Sequence, residues 1–453
     1  MTINLRPYQQ RDIDAIRSAF KQHKRVLYTL PTGGGKGCCA AYIAQGALAK
    51  NKQVRFVAHR RRLLSQLESR FIADGIHGVQ FSMMQTLQRH LTDTQCPDFL
   101  IIDEAHTAAS NGYLDILSWA GNIPILSLTA TPERLSGEGL QHIADTLIQG
   151  SSVRELIDAG YLCDYDILSL PDNAALSPNE QYADLVTTYR THAHNEKCVV
   201  MCKDMQHARE VAVAYQQAGY AADALYSELH DDQQDAIMQD FTSGKLRIVA
   251  SVNMLVEGID IPDISCVQWA RRTDSLIIWL QGNGRGLRPA HGKSRLLILD
   301  HVGNLAQHDL PCKKRKWNLA GKKAREQAEA NATAFNVREC GECYSAYPST
   351  RKHCPYCGAI PSPADKTIKV LKGELVKIDK AAYQQDFKRL KNDYGKEKAV
   401  MIQLMQKNPD TAAAAMMRRY NRGKYDAVML KKYEAMRDSI IADKLMQKYD
   451  LWQ

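Results

Sequence analysis

The chain has 453 residues, 45% of them hydrophobic, and a formal net charge of +9. That length suits about three domains of ordinary size, and apolar runs such as "LIIWL" fall far short of the roughly 20 residues that a membrane span needs. The opening "MTINLRPYQQRD" has no apolar signal core, which predicts a cytoplasmic protein with its cysteines reduced or bound to metal.

From residue 26 to about 300, short apolar runs alternate with amphipathic stretches. "RVLYTL", "QVRFVA", "DFLIID" and "IPILSLTA" read as buried strands, with helical patterns such as "RRLLSQLESRF" between them. The pattern restarts at "KCVVMC" and runs through "LRIVAS" and "SCVQWA" to "RLLILD". Two such sets predict an α/β fold of two parallel sheets, each covered on both faces. The connector "SVRELIDAGYLCDYDIL" divides a first lobe, residues 1–150, from a second, residues 151–311. A basic linker and cysteine-rich segment follow over 312–362, then a Lys- and Tyr-rich tail over 363–453. In that tail "KAVMIQLMQK" and "AVMLKKYEAMRDSIIADKLMQ" space their apolar residues as amphipathic helices do.

The stretch "YTLPTGGGKG" follows a predicted strand and precedes a predicted helix. In that context Gly33, Gly34 and Gly35 let backbone N–H groups converge on phosphate, and Lys36 supplies a positive charge. A glycine-rich turn with a chance lysine is the bland alternative. Some 67 residues on, "LIIDEAH" sets Asp103 and Glu104 just beyond a strand. An aspartate there can hold Mg²⁺, and the glutamate can orient or deprotonate water. "LTATPER" brings threonine hydroxyls to a third strand end. In the second half, "WLQGNGRGLRP" carries Gln281, Arg285 and Arg288. Two arginines at that spacing share one side of a helical turn and suit a γ-phosphate; a basic surface turn would look similar.

"CGECYSAYPSTRKHCPYCG" holds two C-x₂-C pairs, Cys340 with Cys343 and Cys354 with Cys357. Four thiolates so spaced suit tetrahedral Zn²⁺ in a structural ribbon. Residues 1–311 carry 29 Lys and Arg against 34 Asp and Glu, a net of −5; residues 312–453 carry 30 against 16, a net of +14. Such an asymmetry is the footprint of a nucleic-acid contact, although a solvated basic face would share it.

Taken in order, these segments resemble the superfamily 2 helicases and translocases. "LRPYQ" is similar to the adenine-recognition motif, "PTGGGKG" to motif I, "DEAH" to motif II and "LTATP" to motif III. "FVAHRRRLLSQ" and "FSMMQTL" resemble the strand-contacting segments of the first lobe. "VVMCKDMQHARE", "ASVNMLVEGIDIP" and "QGNGRGLR" resemble motifs IV, V and VI. The resemblance implies two RecA-like lobes, followed here by a zinc ribbon and a helical C-terminal tail. It implies ATP and Mg²⁺ held by Arg6, Gln9, Thr32, Gly33, Gly34, Gly35, Lys36, Gly37, Gly258 and Asp260. Asp103 holds the metal, and catalysis falls to Glu104, Asp103, Lys36, Gln281, Arg285 and Arg288. DNA, single-stranded or branched, is the expected partner, with RNA as a second candidate, no membrane, and a protein partner open to the tail. Within the superfamily the closest resemblance is to RadD-type DNA-repair helicases.

Two positions depart from the pattern. Gly282 stands where motif VI has arginine, and Gly37 where motif I has the Ser or Thr that helps to hold magnesium. Losing one oriented ligand costs about 1 to 3 kcal/mol, or roughly 10- to 100-fold in rate. Gly37 therefore leaves two expectations, a slowed motor or a nucleotide-gated clamp or annealing scaffold that does not hydrolyse. The charge asymmetry yields its own test. Deleting residues 364–453 should weaken DNA binding and flatten its salt dependence in a fluorescence titration; an unchanged affinity and slope would remove the tail from the interface.

Overall fold

The computed structural model describes residues 3–59, 61–105, 111–134, 138–171, 176, 180–252, 263–321, 337–339, 346–348, 368–381 and 383. Gly258, Asp260, the four paired cysteines and the C-terminal helical tail lie outside the described residues. Two compact units result, one drawn from residues 1–168 and 185–328, the other from 169–184 and 329–453.

The first unit contains two sheets. The first is built from β1 (Arg25–Thr29), β2 (Val54–Ala58), β3 (Val79–Met83), β4 (Phe99–Ile102), β5 (Ile125–Thr129) and β6 (Thr146–Gln149). Its order is β3-β2-β4-β5-β1-β6, with every pairing parallel. Helices α1 (Pro7–Ala19), α2 (Lys36–Leu48), α3 (Arg61–Ala73), α4 (Met84–Arg89) and α5 (Asn111–Ala120) complete this lobe. Val26, Leu27, Tyr28, Leu100, Ile101, Ile102, Ile125 and Leu126 are buried in β1, β4 and β5. These strands are apolar on both faces because helices cover both.

Strand order carries the functional consequence. β4, β5 and β1 are consecutive neighbours, so the segments that follow them emerge side by side at one edge. Those segments are Asp103–Glu104, Ala130–Thr131 and Pro31–Lys36. Residues 67 apart in sequence are thereby adjacent in space, at the strand ends where open α/β sheets place ligands.

The second sheet comprises β7 (Asp164–Ser169), β9 (Cys198–Met201), β10 (Ala222–Leu225), β11 (Ile248–Ser251), β12 (Cys266–Trp269) and β13 (Arg295–Asp300). These run β10-β11-β9-β12-β13-β7, again parallel. The helices of this lobe are α6 (Val153–Asp158), α7 (Leu185–His192), α8 (Met205–Gln217), α9 (Asp231–Ser243), α10 (Leu276–Gly286) and α11 (Asn304–His308). The second unit contains β8 (Glu180–Tyr182) parallel to β16 (Lys369–Leu371), and a hairpin of β14 (Val337–Glu339) with β15 (Ala346–Pro348).

The sequence reads residues 312 onward as linker, yet the start of that segment returns to the first lobe. The Gln149 amide donates to the Arg315 carbonyl at 2.9 Å and accepts from the Trp317 N–H at 3.1 Å. Leu319 packs against the core around Leu140 and Ile143, and its carbonyl accepts from Gln141 N–H at 3.0 Å. The lobes are therefore joined twice, through residues 150–163 and again through 309–321.

Candidate nucleotide site

The loop between β1 and α2 depends on glycine at two points. Gly33 and Gly35 have φ of 83° and 87°, a region in which side chains are strained. Gly35 caps α2, and a Cβ there would lie 2.5 Å from Gln9 Nε2. Helix α1 braces the loop from outside. The Tyr8 hydroxyl donates to the Gly34 carbonyl at 2.6 Å, and Gln9 Nε2 makes a longer contact of 3.5 Å with the Gly35 carbonyl. The Gln9 amide oxygen accepts from Arg6 N–H at 2.9 Å. The first N–H groups of a helix lack partners within it, which makes the start of α2, at Lys36, a ready anion site.

Lys36 opens α2 and turns its ammonium back onto the Leu30 carbonyl at 3.0 Å. Burial lowers its pKa; the carboxylates of Glu104 and Asp103 oppose that, while Arg288 and Arg285 reinforce it. Two carboxylates and two arginines from two other motifs therefore act on this lysine. Asp103 is buried, and its carboxylate accepts the Glu104 N–H at 2.9 Å. Glu104 itself has φ of 52°, a conformation that costs on the order of 1 to 3 kcal/mol for a residue with a side chain. The turn projects both carboxylates from the end of β4.

Helix α10 supplies the opposite wall. The segment "LIIWLQGNGRG" is helical throughout. Its glycines serve close packing. A Cβ on Gly282 would lie 2.9 Å from the Trp269 ring, one on Gly284 would lie 3.0 Å from Thr32, and one on Gly286 would lie 2.4 Å from Leu296. Asn283 bridges Trp269 Nε1 and the Trp279 carbonyl at 3.0 and 2.9 Å. Gln281 and Arg285 are buried in the helix. Arg288 falls just beyond the helix end, its N–H donating to the Arg285 carbonyl at 3.4 Å, and its side chain lies 3.1 Å from a Cβ placed on Gly33.

Motif III is a tight turn. Thr129 Oγ1 donates to the Thr131 carbonyl at 2.8 Å and accepts the Thr131 N–H at 3.2 Å. Thr32, Thr131 and Gln281 line a common cavity beside the phosphate loop. Gly37 occupies the second position of α2, where a Cβ would meet only Leu67 Cδ2, at 3.3 Å. A small side chain therefore fits after a slight movement of one leucine methyl.

The structure thus brings together Arg6, Gln9, Thr32 to Gly37, Asp103, Glu104, Gln281, Arg285 and Arg288. Sequence reasoning missed Tyr8, Tyr161 and Leu162, and it missed what holds Gly282 small. The Trp269 ring explains that glycine. Restoring the arginine by Gly282→Arg overpacks the helix, a change that costs about 1 to 3 kcal/mol. A lower urea midpoint is the expected result, and a variant as stable as the parent would show that α10 can move off Trp269.

Residues 2–77 and 72–134 match the family described as "Type III restriction enzyme, res subunit", and residues 180–290 match "Helicase conserved C-terminal domain". A 51.5 kDa protein of a Lactococcus phage is 28% identical over 376 residues, covering 77% of this chain and 81% of the phage protein. "Putative ATP-dependent helicase IRC3" of Saccharomyces cerevisiae is also 28% identical, over 355 residues. The match covers 66% of this chain and 51% of the yeast protein, so the chain spans about half of that relative's length. A similar fold is found in the ATP-dependent Type ISP restriction-modification enzyme LlaBIII bound to DNA, with a TM-score of 0.50 at 17% identity, covering 67% of this chain and 28% of that one. Two parallel-sheet lobes and both family matches agree: residues 2–134 are similar to the res subunit of Type III restriction enzymes and residues 180–290 to a helicase conserved C-terminal domain.

Proposed function

We propose that the chain is an ATP-dependent helicase or translocase that moves on or remodels DNA, single-stranded or branched, in repair, recombination or replication. The observation that carries this reading is the convergence of both lobes on one loop: Lys36 opens α2 behind the glycine turn, the Asp103–Glu104 turn follows a neighbouring strand, and the Arg288 side chain of the second lobe lies 3.1 Å from a Cβ placed on Gly33. The donor set fits Mg-ATP: left-handed glycines, the N–H groups at the start of α2, an ammonium, and a buried aspartate beside them. Magnesium bound there would neutralise phosphate charge. Lys36 binds the β- and γ-phosphates, Asp103 holds the metal through its shell, and Glu104 orients and deprotonates the attacking water. Arg285 and Arg288 stabilise the charge that develops on the transferred phosphoryl group.

Because Arg285 and Arg288 belong to the second lobe and Lys36 to the first, nucleotide state is linked to how the lobes meet. Alternation between the two states of that cleft is what moves a bound strand. The cysteine pairs at Cys340–Cys343 and Cys354–Cys357 hold structural zinc in this reading, as in the RadD-type helicases that the chain resembles. Gly37 favours a second reading, a clamp that binds nucleotide and nucleic acid without turnover.

Phosphate release from Mg-ATP decides between them, measured with and without single-stranded DNA or RNA. The expected result is slow release that DNA accelerates and Lys36→Ala abolishes. Gly37→Thr, for which the structure has room, should raise the rate by roughly 10- to 100-fold. Release at the Lys36→Ala level, turned on only by Gly37→Thr, would instead identify a clamp. Stimulation by RNA alone would reassign the polymer.

A further inference from the structure

The C-terminal end of α10 is held from outside the helix. Pro289 follows Arg288 and cannot continue the helix, and the carbonyls of a last helical turn have no partners within it. Three consecutive carbonyls, those of Gly286, Leu287 and Arg288, are instead taken up by two residues far apart in sequence. The Lys293 ammonium donates to the Gly286 carbonyl and, at 2.9 Å, to the Arg288 carbonyl. The Cys163 N–H donates to the Leu287 carbonyl at 2.9 Å, and its thiol reaches the Gly286 carbonyl at 3.5 Å. Sheet register explains the meeting. β7 and β13 pair with Asp164 opposite Arg295, so the residues just before the two strands come together. A turn through Gly292, closed by the Lys293 N–H on the Ala290 carbonyl at 3.1 Å, returns Lys293 to the helix end.

We propose that Lys293 is a positioning residue for Arg288, setting through the main chain where that guanidinium meets the γ-phosphate of a bound nucleoside triphosphate. The proposal rests on the ATP reading of the site and deepens it. The Arg288 backbone is pinned on both sides, since its N–H donates to the Arg285 carbonyl at 3.4 Å and its carbonyl accepts from Lys293. From that fixed main chain the side chain leaves toward the phosphate loop, with Cγ 3.1 Å from a Cβ placed on Gly33. A cation at this end of α10 also matches the negative end of the helix dipole. Lys293 is partly buried, and burial lowers its pKa, against the opposing influence of Cys163 and Asp263. An ammonium drawn out of water needs good acceptors, and the α10 carbonyls supply them. Cys163 carries the same clasp toward the first lobe. Just before it, Leu162 Cδ2 lies 3.0 Å from a Cβ placed on Gly33, and the Tyr161 ring centroid lies 4.6 Å from the Arg6 guanidinium carbon. Three consecutive residues of the connection between α6 and β7 therefore touch α1, the phosphate loop and the end of α10.

Calorimetry on the full chain compares Mg-ATP with Mg-ADP, which differ by the γ-phosphate that Arg288 faces in this reading. Binding requires no turnover, so the outcome does not depend on whether Gly37 permits hydrolysis. The parent should prefer ATP, and Arg288→Ala should lose that preference. Lys293→Met keeps the aliphatic stem and removes the donors. It should weaken ATP binding roughly tenfold, the scale of one hydrogen bond to a charged group, with ADP affinity unchanged. Added to Arg288→Ala, Lys293→Met should change nothing further. Full ATP preference in Lys293→Met would overturn the proposal, as would an equal loss for ATP and ADP, which would make Lys293 a residue of fold stability only. A loss that multiplies with that of Arg288→Ala overturns it too. If the parent has no ATP preference, or Arg288→Ala keeps it, the arginine's role in the ATP reading fails and the proposal fails with it. A parent that binds neither nucleotide removes the ATP reading outright.

Discussion

An ammonium withdrawn from water must find compensating charge, and at Lys36 the first lobe provides it from a different strand. Burial disfavours the charged lysine, and Glu104 with Asp103 opposes that effect without cancelling it. The cost of burying one unpaired charge is several kcal/mol, enough to require that the turns after β1 and β4 keep their positions. The second lobe then adds Arg285 and Arg288, which push against the same lysine. Three cations around two carboxylates leave a site that gains from an incoming polyphosphate with its metal.

Everything else places those five side chains. Strand order brings β4, β5 and β1 side by side, so three loops share one edge. Helix α1 stands behind the phosphate loop and holds it through the Tyr8 hydroxyl. Helix α10 approaches closely because its glycines admit Trp269, Thr32 and Leu296. The segment 309–321 then runs back across the lobes and fixes Leu319 in the first core. Two connections between the lobes restrict how they can part, which favours rotation about the pair over free separation.

Much of this was legible in the residues, and the reasons for the rest are physical. The central strands β1, β4, β5, β9, β12 and β13 announce themselves as apolar runs because both their faces are covered. The edge strands β3 and β6 escaped notice, since their residues are mostly only partly buried and carry polar side chains. Part of the connector 152–168 proved to be strand β7, hidden by its two aspartates. Charged and glycine-rich motifs gave the phosphate loop, the acidic pair and the arginines directly, because phosphate chemistry narrows the choice of residue. Packing roles were not legible. Nothing near Gly282 in sequence points to Trp269, and 155 residues separate Arg6 from Tyr161. A tripeptide such as "GYL" shows its use only when the fold sets it against α1.

The central claim is that Lys36 of the first lobe and Arg288 of the second act on one triphosphate. A double-mutant cycle on Mg-ATP affinity, measured by calorimetry, tests it most directly, using Lys36→Ala, Arg288→Ala and the combination. Groups that act as a unit are strongly non-additive, so the double variant should bind scarcely more weakly than the worse single variant. Affinity losses that multiply would mean that the two residues work independently, and the shared site would have to be abandoned.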